Sequence, residues 1–330
     1  MKLTLTLSTA QAVLNHSPAA TPSFEFPRST SPRDAVLSTI DQILDHSTAT
    51  PPTIKSAVIS LPHALPAADL PPLCYRGVIC SSRLEAYSPF AVDASSENSN
   101  QANQQSQPNQ PNQQVIEPDD KKLKLPPVTA SLSRTILTSQ YSRPHVDHLE
   151  TWPTAHNSTT IPLHPGDLDK DDLLTAMGNN RDATTWIYWG HGETDRLRGY
   201  GHLTREDLNE LTSLRPSFAL TLWISCNTLG SHAPQESIAW QWYASGATNT
   251  LLAAHEAVLT DLNEAFTHAL CEALSQTLDQ TLSQALSQSC PHGRLSDWLF
   301  AALMRLPEPE RRAISEHYRL LGNANLALSN

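Results

Sequence analysis

Two residues of this chain sit where nucleophilic chemistry is easiest to build. His191 lies between Gly190 and Gly192, directly after the apolar run Trp186-Ile187-Tyr188-Trp189. Cys226 closes a second apolar run, "FALTLWIS", residues 218–225. A cysteine attacks as the thiolate, yet an unperturbed thiol has a pKa of about 8.5. A neighbouring imidazole can take or share its proton. The flanking glycines let the backbone turn sharply and approach a substrate closely. The N–H of Gly192 and that of Cys226 itself would then be the natural pair of donors to a tetrahedral oxyanion. Each residue alone also has a plainer reading, the cysteine as inert packing and the histidine as part of a solvated loop. On spacing alone both readings stay open.

The elements around the pair narrow the geometry. "TTWIYWG" (184–190) and "FALTLWIS" (218–225) read as strands buried on both faces, and "TNTLLAA" (248–254) as a third. Between them lie helical stretches: "LTREDLNELTSL" (203–214), capped by Thr204 with Asp207 three residues on, and "QESIAWQWYASGA" (235–247), ending at Gly246. "DLDKDDLLTAM" (167–177) precedes them as a helix with acids in its first turn. Strand–helix alternation predicts a parallel sheet with right-handed crossovers, and function at the carboxyl ends of its strands. His191 and Cys226 both fall at such ends, 35 residues apart.

Elsewhere, "MKLTLTLSTAQAVL" alternates Leu and Thr like a strand, and Thr, Ser and Gln interrupt it too often for a signal peptide's apolar core. Residues 31–47 carry Val36, Ile40, Ile43 and Leu44 at helical spacing, while 54–62, 73–82 and 159–165 read as strands. Ordered chain also resumes at 128–142. The segment 92–126 is dominated by Gln, Asn, Ser and Pro and is expected to be a disordered insertion. Leu270, Leu274, Leu278, Leu282 and Leu286 recur every four residues, a one-residue-wide stripe that suits a helix packed along one edge better than a coiled coil. The expected organisation is an N-terminal strand and helix segment (1–55), a main domain (56–290) and a C-terminal helical segment (291–330).

The formal net charge is −11, from 22 basic and 33 acidic residues. No basic cluster is present to bind phosphates, so nucleic acid is not an expected partner. No run of about 18 apolar residues suggests a membrane span. Five cysteines without a paired framework suit a reducing compartment, and cytoplasmic is the expected location. His202 and His232 lie near the motifs, but the tight ligand spacing of a zinc site is missing, so neither a metal nor a cofactor is expected. Trp186, Trp189 and Trp223 read as core and pocket wall.

"TWIYWGHG" and "LWISCNTLG" resemble the His-Gly and Ser-Ala-Cys signatures of CHAT domains, caspase-like cysteine peptidases of the clan that includes separase, gingipains, metacaspases and caspases. "SAVISLPHALPAADLPPL" (56–73), "YASGATNTLLA" (243–253) and "LNEAFTHALCEAL" (262–274) are similar to the family's opening strand, the turn and strand after the Cys helix, and the closing helix. Two departures stand out. Ile224-Ser225 precede Cys226 in place of Ser-Ala, and a tryptophan expected after the strand ending near Ala254 is replaced in "AAHEAVLTD" by His255 or Glu256.

The resemblance implies an α/β caspase-like three-layer sandwich, with a mostly parallel sheet of about six strands and helices on both faces. It implies an endopeptidase with Cys226 as nucleophile, His191 as general base and then acid, and Gly192 and Cys226 as oxyanion donors. Several relatives cut after Arg or Lys by means of a buried pocket acid. Candidates here are Glu256 first, then Asp261, Glu193 and Glu236. Cleavage after Asp would instead use Arg196, Arg198 and Arg205. The expected role is regulatory cleavage of a protein in defence, signalling or cell death, with an activating protein partner. The rivals are a catalytically silent interaction module of the same fold and a cysteine amidase or acyltransferase.

Overall fold

The structure is a computed structural model, and it describes residues 2–9, 23–25, 31–46, 54–85, 129–132, 134–139, 161–163, 170–199, 201–230, 233–285 and 293–329. The Gln/Asn-rich segment 92–126 lies outside the described residues. In chain order the elements are β1 (Lys2–Thr9), β2 (Ser23–Glu25), α1 (Pro32–His46), β3 (Ile54–Leu61), β4 (Cys74–Tyr75), β5 (Val78–Leu84), β6 (Thr129–Ser131), β7 (Thr135–Ser139), β8 (Ile161–Leu163), α2 (Lys170–Asn179) and β9 (Thr185–Trp189). There follow β10 (Gly192–Glu193), β11 (Arg196–Leu197), β12 (Leu203–Thr204), α3 (Arg205–Leu214), β13 (Leu220–Ile224), α4 (Ile238–Ala244), β14 (Leu251–Ala254), α5 (Thr260–Ala285), β15 (Gly293–Arg294), α6 (Leu295–Leu303), α7 (Glu308–His317), β16 (Tyr318–Leu321) and β17 (Ala327–Ser329).

One central sheet organises them, in the order β2-β1-β3-β5-β16-β14-β13-β9-β7-β8, with β4 added on β5. β14, β13, β9, β7 and β8 run parallel to one another, as do β3, β5 and β16. The two blocks meet antiparallel where β14 pairs with β16. The mainly parallel sheet expected from the strand–helix alternation is present, and among the described residues it has eleven strands where about six were expected.

The pleat sorts each strand's side chains into two layers. Trp186 and Tyr188 face a layer completed by α1, α2, α3 and α4. Ile187 and Trp189 face the other, completed by α5, α6 and α7. Helices therefore cover both faces, and the strands have no polar side to show solvent. That is why β9 and β13 read as continuous apolar runs. Trp186, Trp223 and Trp242 form the centre of the first layer, with ring centroids 5.5–6.2 Å apart. Trp186, Trp189 and Trp223 are all core.

Local chemistry explains where the elements depart from expectation. Residues 73–82 do not make one strand. Arg76 (φ 48°) and Gly77 (φ 83°) form a two-residue turn, and β4 folds back on β5. The helix expected over 235–247 is shorter because Ser237 caps it, accepting from the Trp240 N–H at 3.2 Å, while residues 234–236 form a 3-10 turn. Gly246 ends it at φ 79°. The capping pair at α3 is as read: Asp207 accepts from the Thr204 N–H at 2.7 Å and its hydroxyl at 3.0 Å. Leu270 and Leu274 of the leucine stripe are buried on α5, and the side chains beyond them lie outside those described.

The lines drawn at residues 55 and 291 cross the sheet. β1 pairs along β3, and β16, from the C-terminal segment expected to be helical, sits in the middle between β5 and β14. A four-residue strand after a helix carries too short a pattern to be recognised from sequence.

Candidate functional site

β9 and β13 are parallel neighbours, and Trp189 is the register partner of Ile224. The ladder runs one step past the strands, where the Gly190 N–H donates to the Ile224 carbonyl at 3.1 Å. His191 and Cys226 are each two residues beyond a paired position, so they leave the carboxyl edge of the sheet at the same level on adjacent strands. His191 is exposed. Its carbonyl is fixed from two sides, by the Tyr188 hydroxyl at 2.7 Å and the Arg198 N–H at 3.0 Å.

After His191 the chain enters the small antiparallel sheet β10-β11-β12. Gly192 touches the cysteine loop there. A Cβ on Gly192 would lie 2.4 Å from Thr228 Cγ2 and 2.6 Å from the Cys226 carbonyl oxygen. No side chain larger than hydrogen fits without movement of the cysteine loop.

Cys226 is half-buried against the second layer. Its sulfur is bracketed by one residue: the Val258 N–H donates to Sγ, and Sγ–H donates to the Val258 carbonyl, each at 3.3 Å. Asn227 follows with φ 51°, a left-handed turn that asparagine tolerates better than most residues. Its N–H donates to the Glu256 carbonyl at 3.0 Å and its side-chain amide to Thr194 Oγ1 at 3.2 Å. The Leu229 N–H reaches the Ala254 carbonyl at 2.9 Å. The cysteine loop is thus held between the histidine hairpin and the segment after β14.

The other sequence candidates are spread around this edge. Glu193 lies on β10 between Arg196 (3.3 Å) and Arg198 (3.4 Å), and Asp195 also pairs with Arg196 at 2.7 Å, so two acids and two arginines balance one another. Glu256 is exposed, with its carboxylate 3.3 Å from His317 Nδ1 and 3.8 Å from His255 Nδ1. His255 is buried, and its Nε2 meets the Glu316 carbonyl at 2.9 Å. Burial holds its pKa below the ordinary histidine value, with the nearby Arg319 cation acting in the same direction. Asp261 is exposed in the first turn of α5, while Glu236 and Arg205 are exposed on their own turns. His202 is exposed in a left-handed conformation (φ 71°), and His232 lies outside the described residues. Among the described residues, no group of three or more His, Cys, Asp or Glu side chains is placed to hold a metal ion. Nor is any described helix long and apolar enough to cross a membrane.

Sequence reasoning missed Asn227 and Val258. The Asn directly after the cysteine was an available signal, given its tolerance for positive φ. Val258 acts through its main chain, which no side-chain pattern reports.

A layered α/β sheet with Cys and His at adjacent carboxyl ends defines the class, and comparison with known proteins gives the family. The model of "Peptidase family C25" matches residues 90–329, well over half of the chain. The chain belongs to peptidase family C25, the gingipain family, within the caspase-like clan. Among solved structures, the complex of Porphyromonas gingivalis RgpB pro- and mature domains is similar at 11% identity and TM-score 0.46, covering 59% of this chain and 48% of that one. The Arg-specific cysteine proteinase gingipain R is similar at 10% identity and TM-score 0.47, covering 59% and 47%. The Saccharomyces cerevisiae separase–securin complex is similar at 9% identity and TM-score 0.40, covering 62% and 13%. The chain thus spans about half the length of the gingipain structures. No curated protein matches it significantly.

Proposed function

We propose that this chain is a cysteine endopeptidase with Cys226 as nucleophile and His191 as base and acid. His191 takes the Cys226 proton, and the thiolate adds to a peptide carbonyl carbon. The resulting oxyanion is bound by the N–H groups of Cys226 and Gly192. The His191 imidazolium gives its proton to the leaving amine, and the C–N bond breaks to leave a thioester. Water, deprotonated by His191, then attacks the thioester, and the acid product departs as the Cys226 thiol re-forms. Side chains, main chain and water suffice for every step.

The observation that carries this reading is the Trp189–Ile224 register, from which His191 and Cys226 each project two residues further on, with Gly192 pressed against the nucleophile loop. Family C25 membership supports it. The expected substrate is a protein, cleaved after a basic residue. Glu256 is the acid proposed to read that residue, because its main chain is bonded to Asn227 beside the nucleophile and its carboxylate is exposed. Regulation suits the contacts of the sulfur: both main-chain groups of Val258, in the segment after β14, hold Cys226 Sγ at 3.3 Å, so movement of that segment would free it.

The test is hydrolysis of a denatured protein substrate by the full chain and by its Cys226→Ala and His191→Ala variants. Each substitution should lower the rate by at least about a thousandfold. Hydrolysis that survives Cys226→Ala rules the reading out.

A further inference from the structure

The phenol of Tyr188 holds the carbonyl that shares a peptide plane with the Gly192 N–H. Tyr188 lies on β9, between β7 and β13, as the register partner of Thr138 and Trp223. Its side chain is buried in the first layer. A phenylalanine would fill the same space without a polar atom to desolvate. The hydroxyl reaches past the end of the strand and donates to the His191 carbonyl at 2.7 Å. The Arg198 N–H reaches the same oxygen at 3.0 Å, so both of its lone pairs are engaged.

A trans peptide unit is planar, so its C=O and N–H point in opposite directions and rotate together. The N–H tied in this way to the His191 carbonyl is that of Gly192. Its direction follows from the hairpin. Gly192 is the register partner of Leu197. The bond from Arg198 makes His191 and Arg198 the hydrogen-bonded pair of that antiparallel ladder, so Gly192 and Leu197 form the alternate, non-bonded pair. The Gly192 N–H therefore points away from β11. The glycine also packs on the cysteine loop, where a Cβ would lie 2.6 Å from the Cys226 carbonyl oxygen. We propose that Tyr188 is a positioning residue that aims the Gly192 main-chain N–H at the oxyanion of the acylation step. Its hydrogen bond to the far end of the peptide unit also strengthens that N–H as a donor, because hydrogen bonds in series polarise one another. The inference rests on the peptidase reading above, in which Gly192 is an oxyanion donor. It concerns the amide of Gly192 and not the proton passed between Cys226 and His191.

That distinction gives the experiment. Peptide hydrolysis, and reversible inhibition by a peptide aldehyde, both set a tetrahedral carbon's oxygen against the Gly192 amide. Alkylation of the sulfur by iodoacetamide forms an S–C bond as iodide leaves, and no oxyanion arises. In the full chain, Tyr188→Phe should lower kcat by about 10-fold, less than the loss of about 100-fold or more expected from removing a donor outright. Aldehyde binding should weaken in proportion, with KM within about twofold. The iodoacetamide rate at Cys226 should also stay within about twofold of wild type. Arg198→Pro removes the second donor to the same carbonyl, and Arg198→Ala keeps it. The proline variant should show the same split relative to the alanine variant, and this pair serves if Tyr188→Phe fails to fold. An unchanged kcat, a loss carried by KM, or an alkylation rate that falls in step with kcat overturns the positioning role. A wild-type chain that neither hydrolyses peptides nor forms a Cys226 adduct overturns the peptidase reading instead, and the inference with it.

Discussion

Gly192 and Cys226 belong to different loops, yet they touch through main chain: a Cβ on Gly192 would come within 2.6 Å of the Cys226 carbonyl oxygen. The glycine after the histidine is therefore required by its neighbour across the sheet edge. Gly192→Ala should push the cysteine loop outward. The expected result is loss of peptide hydrolysis by about 100-fold or more, with destabilisation of about 1–3 kcal/mol. Urea unfolding and initial rates on the same preparation check both parts.

Cys226 should be the reactive thiol among the described cysteines. Burial raises Cys74 and Cys80, and it pushes Cys271 up to about 12. At pH 7.5 a thiol at that value is ionised in on the order of one molecule in 10⁴ or fewer. Native-state alkylation followed by peptide mapping should show Cys226 modified first, with Cys80 and Cys271 silent until the chain unfolds. Rapid native labelling at Cys271 would contradict this order.

His255 should make the protein acid-sensitive. Its folded-state pKa is depressed, so the unfolded chain binds that proton more readily. The stability tied to neutral His255 is present above the ordinary histidine value of about 6.5 and is lost as pH falls through it. The groups facing it are Arg319, Glu256 and His317. His255→Gln should flatten the fall in Tm between pH 7.5 and 5.5. An identical slope in the variant would assign the acid sensitivity elsewhere.

Arg215 tests stability apart from chemistry. It is buried at the opposite end of β13, stacked on the Phe218 ring at 3.5 Å, and it donates to the carbonyls of Met177, Asn180 and Ala183. Burial lowers its pKa to about 10. Arg215→Ala should cost about 3 kcal/mol by stranding these carbonyls and losing the stacking. The rate per folded molecule should be unchanged. A selective loss of kcat with full stability would contradict this placement.

What the sequence disclosed follows from how local each signal was. β9, β13 and β14 are buried on both faces, so their apolar runs were plain, and their alternation with helices implied parallel neighbours. The Thr204–Asp207 cap was legible because its partners are three residues apart. β16 was not, since a four-residue strand derives its place from β5 and β14, which are distant in sequence. The same holds at the site. His191, Gly192 and Cys226 announced themselves by type and position. Val258 reaches Cys226 only through tertiary pairing, and its residue type is not unusual in a core.

The central claim is that His191 activates Cys226 within a peptide-binding site. Its most direct test is covalent labelling of the full chain with peptidyl acyloxymethyl ketones bearing Arg, Lys, Leu or Asp at P1, with adducts located by mass spectrometry. The account predicts a single adduct on Cys226, fastest with Arg or Lys, abolished by His191→Ala and weakened for basic probes by Glu256→Gln. Labelling at another cysteine, or labelling of Cys226 that His191→Ala leaves unchanged, would contradict it.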